Sequence, residues 1–288
     1  MTDPAFRSGF ASLVGRPNVG KSTLVNRILG EKVSIVSDKP QTTRTRVRGV
    51  LQREDAQIVF VDTPGLHKPV TALGERVNAT ALASAVEVDI VLLVFDAEKG
   101  FGKGDEWVAG NVPIDRKTTK FFVVANKCDR VAPEKILAEL TRSTVLSADE
   151  YFPVSARSGR GLDELETALF GALGEGPWFY PQDATGEVSD EEWVAELVRE
   201  ELLRLTRDEL PYSIATRVTE WEWPRVRCEI VVERESQKGM VIGKGGLLLK
   251  EVGESVRRQM APGAFLELRV VVDKDWQRRP GRIERLGY

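Results

Sequence analysis

The chain has 288 residues, 42% of them hydrophobic and 30% charged, with a formal net charge of −3. That length suits one large or two ordinary domains with a sizeable core, and the longest clean apolar run, residues 90–95, is far too short to cross a bilayer. Met1-Thr2-Asp3-Pro4-Ala5 lacks the basic region and apolar stretch of an export signal, and Cys128 and Cys228 match no metal spacing, so the reading is an intracellular chain with reduced thiols. The charge is unevenly spread. Residues 1–180 balance, residues 181–233 carry 6 basic against 14 acidic residues, and residues 234–288 carry 12 against 7.

Residues 8–14 form a short apolar run that ends in Gly15-Arg16-Pro17-Asn18-Val19-Gly20-Lys21-Ser22, followed by Thr23 and a helical apolar pattern to Leu29. The octapeptide fits G-x-x-x-x-G-K-[ST]. Its glycines let the backbone wrap a polyphosphate with the amides pointing inward. Lys21 reaches the outer phosphates, Ser22 offers a hydroxyl to Mg²⁺, and a helix starting near Lys21 adds its positive end.

Residues 58–61 run into Asp62-Thr63-Pro64-Gly65. A carboxylate at that strand end is placed to hold Mg²⁺ through water, and the Gly65 N–H can face a γ-phosphate. Residues 121–125 end in Asn126-Lys127-Cys128-Asp129. The Asp129 carboxylate can accept from a base that carries both N1–H and a 2-amino group. Guanine has both and adenine neither, so the motif selects GTP and GDP. Ser155-Ala156-Arg157 follows another short strand, with backbone groups able to contact the base.

Strands alternating with helical patterns predict an α/β domain, a mostly parallel sheet flanked by helices, with an antiparallel edge strand near residues 47–53 and a closing helix over 162–173. The Gly- and Pro-containing stretch at 174–181 breaks that helix. The expected organisation is a GTP-binding domain over 1–180, a linker over 181–189 and a smaller α+β domain over 190–288.

The second domain opens on a capping signal at Ser189 or Asp190, with a helix to about Leu210. Strands follow at 212–219 and 226–232, then a short helix at 236–241, the loop Ile242-Gly243-Lys244-Gly245-Gly246, a helix at 247–260 and a strand at 265–272. Gly243 to Gly246 fits the G-x-x-G loop with which K-H domains clamp about four nucleotides of single-stranded nucleic acid. Lys250 and Arg257 on the next helix, with Arg258 and Lys238, extend the basic surface. Trp193, Trp221, Trp223 and Trp276 read as packing residues before base-stacking ones. His67 reads as part of a mobile segment, not as a catalytic base.

The four nucleotide motifs, in this order and followed by the G-x-x-G loop, resemble the Era-like family of bacterial GTPases, within the Ras-like GTPases of the translation-factor class. The resemblance spans nearly the whole chain. Lys39-Pro40-Gln41-Thr42-Thr43-Arg44-Thr45 is similar to the family's first switch, and Asp62 through Pro69 to its second. It implies a GTPase with a type II K-H domain that binds the single-stranded 3′ end of small-subunit ribosomal RNA and assists small-subunit assembly. The expected protein is a cytoplasmic monomer, with peripheral membrane association as the alternative use of the basic end. In this reading Lys21 and Thr43 serve hydrolysis. Ser22, Thr43 and Asp62 hold Mg²⁺, with Thr42 the competitor for Thr43. Leu66 stands where many GTPases place a water-orienting glutamine, and relatives with an asparagine at the Asn18 position make K⁺ a candidate cofactor.

Overall fold

The computed structural model describes residues 6–67, 69 and 71–288. Met1 to Ala5, where an export signal would begin, and Lys68 of the second switch lie outside the described residues.

Two compact units emerge. The first is built on β1 (Arg7–Val14), α1 (Lys21–Leu29), β2 (Val47–Gln52), β3 (Ala56–Asp62), α2 (Ala72–Ala83), β4 (Ile90–Asp96), α3 (Lys103–Asn111), β5 (Lys120–Asn126), α4 (Pro133–Ser143), β6 (Glu150–Pro153) and α5 (Leu162–Gly171). The sheet order is β2-β3-β1-β4-β5-β6. Every pairing is parallel except β2 with β3, the antiparallel edge strand expected near residues 47–53. β3 and β4 are buried along their whole length, which explains their unbroken apolar runs: a central parallel strand is covered on both faces.

Side chains alternate between two core layers. Leu92 and Val94 join Leu24, Ile28, Leu165 and Leu169 on one face. Val91, Leu93 and Phe95 join Ala81, Val108 and Ile136 on the other. Chain direction across the sheet reverses at β1, which lies between β3 and β4. In an open α/β sheet, ligands bind at the carboxyl ends of the strands beside such a switch point, and the glycine-rich loop leaves β1 there.

The expected linker over 181–189 is largely not a free tether. Gly186 bridges Gly49 on β2, the Val50 N–H donates to the Thr185 carbonyl at 3.0 Å, and Gln52 donates to the Pro181 and Ala184 carbonyls. Just upstream, Trp178 stacks on Phe6 at 3.9 Å. The first unit therefore runs to Glu187. Edge strand β2 has unpaired backbone groups, and this segment satisfies them.

The second unit comprises Val188–Tyr288 together with Ile35–Thr42 and Pro69–Arg76. Its elements are α6 (Asp190–Leu205), α7 (Leu210–Ser213), β7 (Ala215–Glu222), β8 (Arg225–Val232), α8 (Glu235–Ile242), α9 (Leu247–Arg257), β9 (Phe265–Val272) and α10 (Pro280–Arg285). Ser189 caps α6: its hydroxyl accepts from the Glu192 N–H at 3.2 Å, and Glu192 accepts from the Ser189 N–H at 3.4 Å. β7 and β8 pair antiparallel, β8 and β9 parallel.

Two expectations shift. The long helix ends at Leu205 rather than near Leu210, and Tyr212 lies in α7 instead of a strand. Pro211 within the first turn of α7 suits a new helix start. The tail adds α10, which carried no sequence prediction. Trp276 beside it is fully buried and donates to the Ser213 carbonyl at 3.0 Å, a packing role as read.

Candidate functional site

The glycine-rich loop curls between β1 and α1. Lys21 folds back over it, with Nζ 3.3 Å from the Gly15 and Arg16 carbonyls. Burial lowers the Lys21 pKa to about 8, an effect the nearby Asp62 carboxylate partly offsets. An ammonium held this way among carbonyls and backbone amides is placed to meet phosphate charge. Arg16 pairs with Asp105 on α3 at 2.8 Å. Val19 is buried in the core beneath the loop.

Ser22, Thr43 and Asp62 converge. The Ser22 and Thr43 hydroxyls are 2.9 Å apart, and Thr43 and Ser34 both donate to Asp62 Oδ2, at 3.4 and 2.9 Å. Asp62 Oδ1 is buried without a hydrogen-bond partner. Burial pushes the Asp62 carboxyl above its usual range, and Lys21 opposes the shift. A buried, orphaned carboxylate oxygen beside two hydroxyls is the donor set of a hard cation such as Mg²⁺. Thr42 faces elsewhere, donating to the Lys39 carbonyl at 2.7 Å.

Past Asp62 the chain turns against the loop. The Thr63 hydroxyl donates to the Leu13 carbonyl, and the Leu66 N–H donates to the Gly15 carbonyl at 3.1 Å. A Cβ on Gly65 would stand 2.7 Å from Pro17 backbone atoms, so this turn approaches Pro17 only because position 65 has no side chain. Leu66 is 2% exposed and packs in the core with Ala81 and Phe95. Its side chain is structural.

Asn126 ties three segments together. Its amide donates to the Val19 carbonyl at 2.9 Å, and its Oδ1 accepts from the Lys127 N–H at 2.8 Å and the Ala156 N–H at 3.0 Å. Lys127 reaches the Asn18 carbonyl at 2.8 Å and the buried Asp96 carboxylate at 2.6 Å. Asp129 stays exposed. A 2.7 Å hydrogen bond from Ser155 aims it and, as the largest cause, holds its carboxyl below the usual range. Arg157 follows in the same turn, and its charge favours the ionised form. The site thus contains Asp96 and Asp105, which no motif singled out. Both are wholly buried carboxylates, and a carboxylate at the end of an apolar strand, as in residues 90–96, was the available signal for Asp96.

In the second unit, Ile242 closes α8, and Gly243 (φ +74°), Gly245 (φ +61°) and Gly246 (φ +78°) carry the chain into α9. A Cβ on Gly243 would lie 2.8 Å from Leu248 Cβ. Lys244 is exposed. Lys250 sits 3.8 Å from Glu254, and Arg257 donates to the Gly253 carbonyl at 3.3 Å, so both basic groups line the helix that leaves the loop. Met240 (58% exposed) and Leu247 (66% exposed) flank it. Sequence reading passed over these two, because exposed apolar residues beside a glycine loop look like ordinary helix ends.

Fold and sites together define a P-loop GTPase domain followed by a K-H domain. Family models agree, one described as "50S ribosome-binding GTPase" over residues 10–127 and one as "KH domain" over residues 209–277. GTPase Era of Mycobacterium sp. (strain JLS) is 43% identical, covering 98% of this chain and 99% of that protein. GTPase Era of Heliobacterium modesticaldum is 44% identical over 98% and 97%. Among solved structures, a single-residue variant of Aquifex aeolicus Era bound to GDP and AlF4⁻ matches at TM-score 0.93 and 37% identity, covering 98% and 99%. A structure of Era with MgGDPNP and nucleotides 1506–1542 of 16S ribosomal RNA matches at TM-score 0.93 and 38% identity over the same shares. The chain belongs to the GTPase Era family.

Proposed function

We propose that this GTPase is a molecular switch that binds the single-stranded 3′ end of small-subunit ribosomal RNA and assists small-subunit assembly. The observation that carries the RNA half is the tight loop at Gly243–Gly246 between α8 and α9, which leaves Lys244 exposed. The full-length likeness to an Era that holds a 16S fragment supports the choice of RNA. The 50S wording of the family model describes a family matched over residues 10–127 alone, so it bears less on the partner of the K-H domain.

Within the site, Gly15 through Thr23 cradle the phosphates, Lys21 meets the β- and γ-phosphates, and Gly65 presents its N–H to the γ-phosphate. Ser22 and Thr43 ligate Mg²⁺ with Asp62 in its shell, and Mg²⁺ when bound neutralises charge on the phosphate oxygens. Asp129 accepts from guanine, while Asn126, Lys127 and the Ser155–Arg157 turn hold the base pocket. Ile242 through Gly246, Lys250 and Arg257 hold RNA. A cytoplasmic monomer goes with this reading.

Leu66 is apolar and buried, so it orients no water. Asn18 in the phosphate loop supplies an oxygen that suits K⁺, a cation able to stabilise transition-state charge there. Hydrolysis is then faster in potassium chloride than in sodium chloride, and Asn18→Ala removes the difference. Equal wild-type rates in the two salts would end the K⁺ assignment.

The RNA reading is tested by anisotropy with a labelled oligonucleotide of the small-subunit rRNA 3′ end, for wild type and Lys244→Glu. The expected result is binding that the variant loses while GTP affinity is retained. Binding to acidic vesicles with none to RNA would replace this reading with a membrane one.

A further inference from the structure

One cavity of the second unit lies away from the glycine loop. It has a volume of about 440 Å³ and is lined chiefly by Asp190, Trp193, Trp221, Trp223, Gln259 and Met260. Gln259 and Met260 follow the C-terminal end of α9, whereas the loop precedes its N-terminal end. Eleven residues of helix separate the two by roughly 16 Å.

The aromatic groups reach this cavity for simple geometric reasons. Trp221 lies near the end of β7 and Trp223 in the turn that follows it, and both side chains line the cavity. Asp190 and Trp193 are three apart in the first turn of α6 and share a helix face. Trp223 stands 51% exposed, an unusual position for so large an apolar group in a chain that buries Trp276 completely.

The charge around the cavity decides what it can hold. Among the described residues no lysine or arginine lines it, and the first turn of α6 carries Asp190, Glu191 and Glu192. Three carboxylates outweigh the roughly half positive charge of a helix N-terminus, and Ser189 and Glu192 already cap that end. A nucleobase would stack well on these rings, but it brings a phosphate for each nucleotide toward the carboxylates. A guanidinium or ammonium meets both features, lying on a tryptophan face and pairing with Asp190.

We propose that this cavity is a docking site for a basic segment of a partner protein, whose arginine or lysine side chain lies against Trp221 and Trp223 and pairs with Asp190. The apolar floor of Met260 and Trp193 takes the methylene stem of such a side chain. Because the cavity is remote from the glycine loop, a partner bound here leaves RNA binding open.

The test uses the full chain and a capped nine-residue peptide with three arginines among glycine and serine, titrated by tryptophan fluorescence. The expected result is saturable binding, weakened by about fivefold or more in Trp223→Ala and in Asp190→Asn, and unchanged in Lys244→Glu. Both substituted side chains are exposed, so folding is retained. Peptide affinity that is the same in wild type and both variants overturns the proposal. Trp223→Ala weakening RNA affinity instead assigns the cavity to nucleic acid, and spermidine binding as tightly as the peptide assigns it to polyamines. Either result also overturns the proposal.

Discussion

Asp129 and Lys21 show how single residues act through their surroundings. Asp129 is exposed yet aimed, since Ser155 donates to its Oδ1 at 2.7 Å. Asp129→Asn puts a donor where guanine also donates. GTP affinity is expected to fall by about a hundredfold, with xanthosine triphosphate gaining. Nucleotide titration of the folded variant checks this, and undiminished GTP affinity would remove Asp129 from the base site. Lys21 is a buried ammonium whose pKa sits at about 8 in the folded chain against an ordinary 10.5. Below pH 8 both folded and unfolded chains hold the proton, and the cost of burial is full. Between pH 8 and 10.5 the unfolded chain keeps a proton that the folded chain sheds, so nucleotide-free stability rises with pH across that window. Lys21→Met is expected to flatten that rise and to abolish stabilisation by GTP, because it removes both the titrating ammonium and the group that meets the phosphates. Thermal unfolding across pH 7–11, with and without GTP, reads both. A rise of the same size in the variant would refute the burial argument.

At the scale of elements, two short turns are more demanding than the helices they join. The turn at Gly65 meets Pro17 backbone with no room for a Cβ, and the loop at Gly243 combines a left-handed φ with contact to Leu248. Gly243→Asp is therefore strained in backbone and adds a charge that repels phosphate. RNA affinity is expected to drop by at least about tenfold, while GTP binding stays near wild type because the nucleotide groups lie in the other unit. Normal oligonucleotide binding by a folded Gly243→Asp chain would make the loop purely structural. The core strands are more forgiving: β3 and β4 present apolar side chains to both layers, and conservative apolar exchanges there cost less than about 1.5 kcal/mol.

Across the whole molecule, the first switch divides between the two units. Ile35–Thr42 clusters with the second and Thr43 with the first. Within the second unit, Arg199 on α6 is fully buried, donates to the Thr42 carbonyl, and is held by Glu196 with Nε 2.8 Å from Oε1. Glu200 also accepts from the Val36 N–H at 2.9 Å. Thr43 meanwhile faces Asp62. Adjacent Cα atoms stay about 3.8 Å apart, so a shift of Thr43 on nucleotide exchange must pull on Thr42 and its arginine. Arg199→Met keeps most of the buried volume and removes the tether. The expected outcome is faster hydrogen exchange over residues 35–42 and a smaller difference in RNA affinity between the GTP-analogue and GDP states, with GTP affinity itself little changed. An unaltered difference would show that Arg199 carries no coupling.

Most of this molecule could be read from local pattern. Parallel strands buried on both faces produce apolar runs, a phosphate loop needs glycines at set spacing, and a guanine site needs a carboxylate after a strand. These are short-range requirements, so Gly15–Ser22, Asp62–Gly65, Asn126–Asp129 and Gly243–Gly246 stand out without any knowledge of neighbours. Thr43 over Thr42 was a preference from resemblance, and only the fold turned Thr42 toward Lys39 and Thr43 toward Asp62. The docking of residues 181–187 along β2 and the buried carboxylates Asp96 and Asp105 also required tertiary structure. Each depends on a partner distant in the chain or on the space beside an edge strand, and neither is encoded in a local period. The Trp-lined cavity belongs to the same group. Its walls come from α6, from β7 with the turn after it, and from the residues that follow α9, three segments whose meeting is set by packing around the K-H core.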